Sequence, residues 1–299
     1  MSVAVGGLEG ILPLDKPVGP TSHDMVARVR RVLGIRRVGH TGTLDPFASG
    51  VLLMCIGRST RLAEYLGGFP KEYLATARLG VSTTTDDVEG EVSSSSEMWR
   101  DLDEILIAEA LRGFEGDSLQ RPPPYSAKKV KGEAAYARAR RGEEVVLEPV
   151  SVTIHEIGLV RVELPEVEFR VTCSTGTYVR ALARDLGARL NVGAHLTALR
   201  RMAIGPFRVD RSLPPEALED LGAVREALIR PLDALGHLPV IEVSQEEARL
   251  LQSGQALPYH GAPAVEDAGE MAVAFGSHLL AVAVREGDRL RPRKVFCHG

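Results

Sequence analysis

The chain has 299 residues, 44% of them apolar, enough for a sizeable core and long enough that two domains are the natural expectation. Its formal net charge of −4 argues against a uniformly basic nucleic-acid binder. Yet eight Lys and Arg stand against Asp24 and Asp45 between Lys16 and Arg61, and seven against Glu133 alone between Arg121 and Arg141. Such segregation suits a polyanion-binding face on a mildly acidic protein.

Taken in chain order, residues 22–33 predict a helix, with Met25, Val26, Val29, Val32 and Leu33 on one face, Ser22 as cap and Gly34 as terminator. Arg28 and Arg31 lie on its opposite side. Residues 73–79 predict a strand, Ser93–Ser96 a short loop, and 98–112 a helix. In 167–173, Val167, Phe169, Val171 and Cys173 alternate with polar positions as in a half-buried strand, and 178–190 predict a helix. Pro231, Gly236 and Pro239 suggest a boundary near 231–241. Beyond it, 240–243, 271–275 and 279–284 read as strands of a small all-β module, ending in a basic tail of Arg289, Arg291, Arg293 and Lys294. Strands and helices that do not alternate strictly imply an α+β class. Cys55, Cys173 and Cys297 show neither a disulfide framework nor zinc spacing, which fits a reducing cytosol. The longest apolar run is six residues, against roughly 20 for a membrane helix, and Met1 to Gly10 lack the pattern of a secretory signal.

The most informative segment is Gly39-His40-Thr41-Gly42-Thr43-Leu44-Asp45-Pro46. Pro46 biases Asp45 away from helical geometry, so the carboxylate sits at an extended or turn corner beside the apolar run Val51–Ile56. Read locally, Asp45 is either a turn residue or a carboxylate held for chemistry. The window 39–52, GHTGTLDPFASGVL, resembles the catalytic motif of the TruB family of tRNA pseudouridine synthases. Five more segments resemble that family in register: Gly10–Pro17 (GILPLDKP), Lys71-Glu72-Tyr73, Gln120–Gly132 (QRPPPYSAKKVKG), Ser174–Arg180 (STGTYVR), and Gly193–Leu196 with Leu199-Arg200-Arg201.

The resemblance implies a mixed, largely antiparallel pseudouridine synthase domain over 1–235, with an RNA-contact insertion at about 120–150. A PUA-like RNA-binding module would follow over 240–299. It also implies a stand-alone cytoplasmic enzyme acting on the T loop of tRNA, at position 55 in tRNA numbering. A monomer without an obligatory protein partner is the default expectation.

Uridine becomes pseudouridine by breaking N1–C1′, turning the base and joining C5 to C1′. No atom enters or leaves, so no metal or organic cofactor is called for. A carboxylate can serve as nucleophile, as in retaining glycosidases, and Asp45 is the candidate. It must be ionised, so a cation is expected beside it. Arg180 is the candidate, because an Arg near a helix N-terminus needs an anion to offset the dipole. The resemblance pairs it with the catalytic Asp.

By resemblance Tyr73 stacks on the target base and is a candidate for proton transfer, while Leu199 lines the uracil pocket. An aromatic face and an apolar wall suit a flipped base. His40 is a turn residue or, by resemblance, stacks into the space that the flipped nucleotide vacates. Lys16 supports the Asp45 loop or touches phosphate. Tyr125, with Lys128, Lys129 and Lys131, reads as an RNA-contact loop stiffened by Pro122–Pro124, and Tyr178 joins the RNA-contact set. Where the family often has T-D-T-x-D, this chain has Thr83-Thr84-Thr85-Asp86-Asp87. Thr84 thus replaces one carboxylate, and Asp87 matches the later one as an RNA or loop contact. Two other functions stay open at this point: a non-catalytic RNA-binding or RNA-folding module, and a glycan or nucleoside hydrolase, for which no motif supplies a convincing second carboxylate.

Overall fold

The computed structural model describes residues 8–125, 129–130, 133–134, 138, 141, 143, 147–261 and 264–296. The first strand, β1 (Gly10–Lys16), is almost wholly buried and leads into α1 (Ser22–Leu33). Met25, Val26, Val29 and Leu33 are buried at helical spacing, and Gly34, at φ 65°, ends the helix. The cap lies one residue earlier than expected. The Thr21 hydroxyl accepts from the Asp24 N–H while the Asp24 carboxylate accepts from the Thr21 N–H, a capping box. Ser22 is buried instead.

Next come β2 (Val38–His40), β3 (Ser49–Ile56), α2 (Ala63–Gly67) and β4 (Lys71–Leu79), whose odd-numbered residues face inward. β5 (Val81–Thr83) and β6 (Val92–Ser95) pair as a ribbon, so the serine run expected as a loop is largely strand. The helix expected over 98–112 splits into a 3-10 turn at Met98–Asp101 and α3 (Glu104–Arg112). Asp103 caps α3 by accepting from the Leu106 N–H. Then follow β7 (Gly116–Gln120), β8 (Lys129–Val130), β9 (Glu133–Ala134), β10 (Val150–Glu163) and β11 (Glu166–Cys173). After α4 (Val179–Arg189) come β12 (Ala194–Ile204), β13 (Phe207–Arg208), α5 (Leu221–Ala227) and α6 (Pro231–Ala234). The last stretch holds β14 (Val240–Glu242), α7 (Gln245–Gln252), β15 (Leu257–Pro258), β16 (Glu270–Phe275), β17 (His278–Glu286) and β18 (Arg289–Val295).

The main sheet runs β1-β3-β12-β4-β11-β10-β7, with β2 on β3 and β13 on β12. Its pairs are antiparallel except β3 with β12, which run parallel through Ser49–Arg200 and Gly50–Arg201. Gly50 is required there: at φ 107°, a Cβ would lie 2.2 Å from the Arg201 carbonyl oxygen. The mixture of strands and helices agrees with the α+β expectation.

A second sheet, β14-β16-β17-β18-β15, lies at the C-terminal end. Two expectations change here. The stretch is not all-β, because α7, with a capping box at Ser244 and Glu247, buries Ala248 and Leu251 against the sheet core. The basic tail is itself a strand, β18, pairing with β17 and β15.

α3 and α4 cover one side of β4, β10, β11 and β12, with Ile107, Leu111, Leu182 and Leu186 among Ala75, Phe169, Val171 and Leu196. α1 and α5 cover one side of β1 and β3 through Met25, Val29, Leu33 and Val224. The other side of those strands, Ile11, Val51, Leu53 and Cys55, shares a cluster with Ala272, Leu279, Val282 and Phe296 of the C-terminal stretch. Among the described residues no helix is long and apolar enough to cross a membrane.

Candidate active site

Asp45 lies in the loop between β2 and β3, and side chains from distant elements take the carbonyls around it. Arg201, on β12 and 1% exposed, donates to the carbonyl oxygens of Val51 at 2.7 Å, Gly42 at 3.2 Å and Thr43 at 3.4 Å. Ser22 accepts from the Leu44 N–H at 2.9 Å and donates to the Leu44 carbonyl at 3.1 Å. Lys16 donates to the carbonyls of Pro17 and Pro20 at 2.8 Å and Pro46 at 3.4 Å. Lys16 is 0% exposed, so of its two readings the structure favours loop support over a phosphate contact. Burial pushes its ammonium down to about 8, although the Asp45 charge opposes the fall.

Arg180 reaches the loop from α4. It is the second residue of the helix, not the third, and the N-cap, Tyr178, offers no side-chain cap. Its Nε lies 3.0 Å from Asp45 Oδ2 and its Nη2 3.4 Å from Oδ1, a two-point grip on the carboxylate. Its Nη1 lies 3.0 Å from Asp87 Oδ2 and donates to the Thr85 carbonyl at 3.1 Å, while Nη2 donates to the Tyr125 carbonyl at 2.8 Å. One buried guanidinium therefore sits between two carboxylates. Asp87 is only 2% exposed and also accepts from the Thr85 hydroxyl and the Glu89 N–H. It anchors Arg180 and its own loop, which agrees with the loop alternative of its reading and not with the RNA alternative. Burial pushes the Asp45 carboxyl above the usual range. Arg180 opposes that rise and the neighbouring charge of Asp87 adds to it.

The Asp45 side chain retains 34% exposure and opens on a cavity of about 270 Å³. Thr43, Lys71, Tyr73, Tyr178, Leu199 and Arg201 are among its lining residues. The pairing of β4 with β12 sets Tyr73 opposite Arg201, which brings the aromatic, the apolar residue and the cation to one place. Burial raises the Tyr73 phenol, so it stays protonated at neutral pH. A carboxylate held by a guanidinium at the mouth of a pocket with aromatic and apolar walls suits attack on the sugar of an extruded base.

Residues 30–179 match the model described as TruB family pseudouridylate synthase (N terminal domain). Residues 180–235 match that of the tRNA pseudouridylate synthase B C-terminal domain. The tRNA pseudouridine synthase B of Thermobifida fusca (strain YX) is 48% identical over 263 residues, 85% of this chain and 88% of that protein. That of Paenarthrobacter aurescens (strain TC1) is 42% identical over 303 residues, 98% and 96% of the two chains. The chain belongs to the TruB family of pseudouridylate synthases. Among solved structures, an H/ACA RNP bound to a substrate RNA containing 2′-deoxyuridine gives a TM-score of 0.75 at 25% identity, over 97% of this chain and 85% of that one.

In this TruB-family chain the structure brings Asp45, Tyr73, Tyr178, Arg180 and Leu199 into one lining. Tyr125 joins through its carbonyl, and Tyr178 is held through its backbone. Gln120 accepts from the Tyr178 N–H at 2.8 Å and donates to the Tyr178 carbonyl at 3.1 Å. His40 is not among the lining residues. It sits at the end of β2, edge-on to His23 at 5.6 Å, and burial lowers its imidazole, which favours the neutral ring. Lys128 lies outside the described residues, as do the side chains of Lys129 and Lys131. Thr84, where the TruB pattern often has Asp, accepts from the Glu91 N–H. The nearby carboxylate is Asp86, at φ 61°, paired with Arg184 at 3.0 Å.

Sequence reasoning gave no role to Arg201, Gln120 or Lys71, and to Ser22 only that of a helix cap. Three of them stood inside quoted motifs, and an Arg or Lys within an apolar strand pattern was the available signal. Ser22 carried none, because its partner, Leu44, is 22 residues away.

Proposed function

We propose that this chain isomerises the uridine at position 55 in the T loop of tRNA, with Asp45 as the group that attacks C1′. Membership of the TruB family makes it a pseudouridine synthase acting on tRNA; the target loop and the nucleophile are the inferred part. The observation that carries the reading is the two-point Arg180–Asp45 grip beside Tyr73 and Leu199.

The uridine leaves its stack and enters the pocket against Tyr73 and Leu199. Asp45 forms a bond to C1′ as the N1–C1′ pair leaves with the uracil. Arg180 keeps the carboxylate ionised and directs it. The uracil turns, C5 bonds to C1′ as Asp45 is displaced, the C5 proton passes to the Tyr73 oxygen as the phenol hands its own proton on to solvent, and N1 takes up a proton from solvent. Residues 1–235 carry this chemistry, and 240–299 act as a PUA-like RNA-contact module. The enzyme works in the cytoplasm as a monomer, with no protein partner or cofactor.

The test is incubation of purified protein with an unmodified tRNA transcript and no added cofactor. Pseudouridine is expected at the T-loop uridine and nowhere else. Conversion at another position would overturn the target, and no conversion would overturn the function.

A further inference from the structure

Breaking N1–C1′ sends an electron pair into the uracil, which departs as an anion with its charge shared between N1, O2 and O4. A pocket that holds such an anion needs a cation with hydrogen-bonding capacity to spare. The cavity lining has three cations: Arg180, Arg201 and Lys71. Arg180 is committed to two carboxylates and two carbonyls, and Arg201 to three carbonyls. Lys71 differs. It is 7% exposed and begins β4, two residues from Tyr73 on the same face. The only hydrogen bond of its ammonium among the described residues goes to the Gly67 carbonyl oxygen at the end of α2, at 2.5 Å. No carboxylate pairs with it among those residues. An ammonium has three N–H donors, so two remain for the cavity.

We propose that Lys71 is a further catalytic residue, whose ammonium donates to a uracil carbonyl oxygen and stabilises the uracil anion as the glycosidic bond breaks. The inference rests on the reading of the site as a uridine isomerase. It holds whether or not Asp45 attacks C1′, because the base leaves with the electron pair in either case. Lys71 keeps its proton throughout: N1–C1′ breaks, the pair resides on the base, and it returns to form C5–C1′. The charge that Lys71 faces therefore grows in the transition state and vanishes in the product, which is where a fixed donor speeds a reaction most.

The surroundings fit a point charge with donors to spare. Burial first, and the Arg201 charge second, push the Lys71 ammonium down to about 8. Arg201 faces it from β12 and Cys173 from β11. Tyr73 lies on its own strand, and Asp45 and Arg180 line the same cavity. Cys173, raised to about 11, and Tyr73, also raised, stay uncharged near neutrality. Lys16, behind the Asp45 loop, is also brought to about 8, so an alkaline limb in the rate does not by itself single out Lys71.

The deciding experiment therefore compares substrates. Single-turnover rates at saturating tRNA, and the Kd for tRNA, are measured for wild type, Lys71→Met and Lys71→Arg. Each protein is given a transcript carrying uridine at the target and one carrying 5-fluorouridine, whose base is the better anionic leaving group but has no C5 proton to lose, so the rate on both is read as loss of the N1–C1′ bond and not as pseudouridine. Lys71→Met is expected to lower the uridine rate by about 10²-fold, the usual effect of losing one such donor, with Kd changed less than twofold. Its penalty should be several-fold smaller on 5-fluorouridine, and Lys71→Arg should recover part of the rate. A uridine rate within threefold of wild type, or an equal loss on both substrates, overturns the proposal. So does a loss confined to Kd and its salt dependence, which marks a phosphate contact. Lys71→Arg, which keeps the charge, guards against misfolding of the Met variant. If wild type itself converts no uridine, the functional reading falls and takes this inference with it. If wild type converts and Lys71→Met keeps pace, the inference alone falls.

Discussion

Around Asp45 the carbonyls of Gly42, Thr43, Leu44 and Pro46 are each taken by a side chain from another element, and the carboxylate itself by Arg180. The C-terminal sheet is seated differently. Ala272, Leu279, Val282 and Phe296 meet Ile11, Val51 and Leu53 in an apolar cluster. At its rim Arg61 donates to the Val295 carbonyl and stacks over Phe296, and Lys294 pairs with Glu64. The two regions show what each kind of contact does. Directional bonds from buried cations fix one carboxylate to a fraction of an ångström, which a reaction at C1′ demands. Non-directional burial only has to keep a segment in place, which suffices for the RNA-contact role proposed for it. A change near Asp45 should therefore alter rate, and a change in the C-terminal seat should alter affinity.

The largest break in that contrast should come from Arg180→Ala. Asp45 loses the partner that lowers its pKa, and burial then drives the carboxyl still higher. Attack needs the ionised form, so activity is present above the Asp45 pKa and is lost as pH falls through it. The acidic limb of the single-turnover rate should move to higher pH in the variant. Arg180→Lys restores charge without the planar fork and should recover the profile's shape at reduced height. If both variants keep the wild-type rate and only the salt dependence of binding changes, Arg180 is a phosphate contact. Stability should fall too, by about 3–5 kcal/mol in urea melts, because Asp87 is left buried without its cation.

Arg201→Met comes next. It orphans the carbonyls of Val51, Gly42 and Thr43 while keeping an unbranched side chain. A displacement of about 1 Å in the loop costs on the order of 10²-fold in rate, so a drop of that size with unchanged tRNA affinity is expected. A variant with wild-type single-turnover rate would show that the loop holds itself. Phe296→Ala should have the smallest effect on chemistry. Phe296 is 3% exposed, and its truncation loosens the seat of the C-terminal sheet. Titration should show weaker tRNA binding, with the rate at saturation within threefold of wild type. A large loss of rate at saturation would mean that the seat also supports the pocket.

Much of this was readable in the sequence where the determinants are local or repeat at a fixed period. The apolar spacing of Met25, Val26, Val29 and Leu33 announces α1, and the alternation from Val167 to Cys173 announces β11. Misses occurred where one residue's partner decides. Asp103 breaks the helix expected over 98–112 because its side chain caps the next turn, and Thr21 outbids Ser22 because Asp24 answers it. Helix α7 was missed because it is only eight residues long, although the Ser244 and Glu247 capping box was a signal in the sequence. At the site, residue types suggested Asp45 and Arg180. The roles of Lys16 and Asp87 depend on burial, which spacing does not reveal. A lysine between an aspartate and a proline, and an aspartate in a polar run, both look exposed until the fold closes over them.

The central claim is that the carboxylate gripped by Arg180 performs the chemistry while the rest of the surface provides affinity. It is tested most directly by the single-turnover conversion of the T-loop uridine by Asp45→Asn at saturating unmodified tRNA, with the Kd for tRNA measured alongside. The Asn side chain fills nearly the same space, so the pocket is retained while the nucleophile is lost. No detectable pseudouridine, with Kd within threefold of wild type, is the expected result. Conversion within a few-fold of the wild-type rate would remove Asp45 from the reaction and contradict the account.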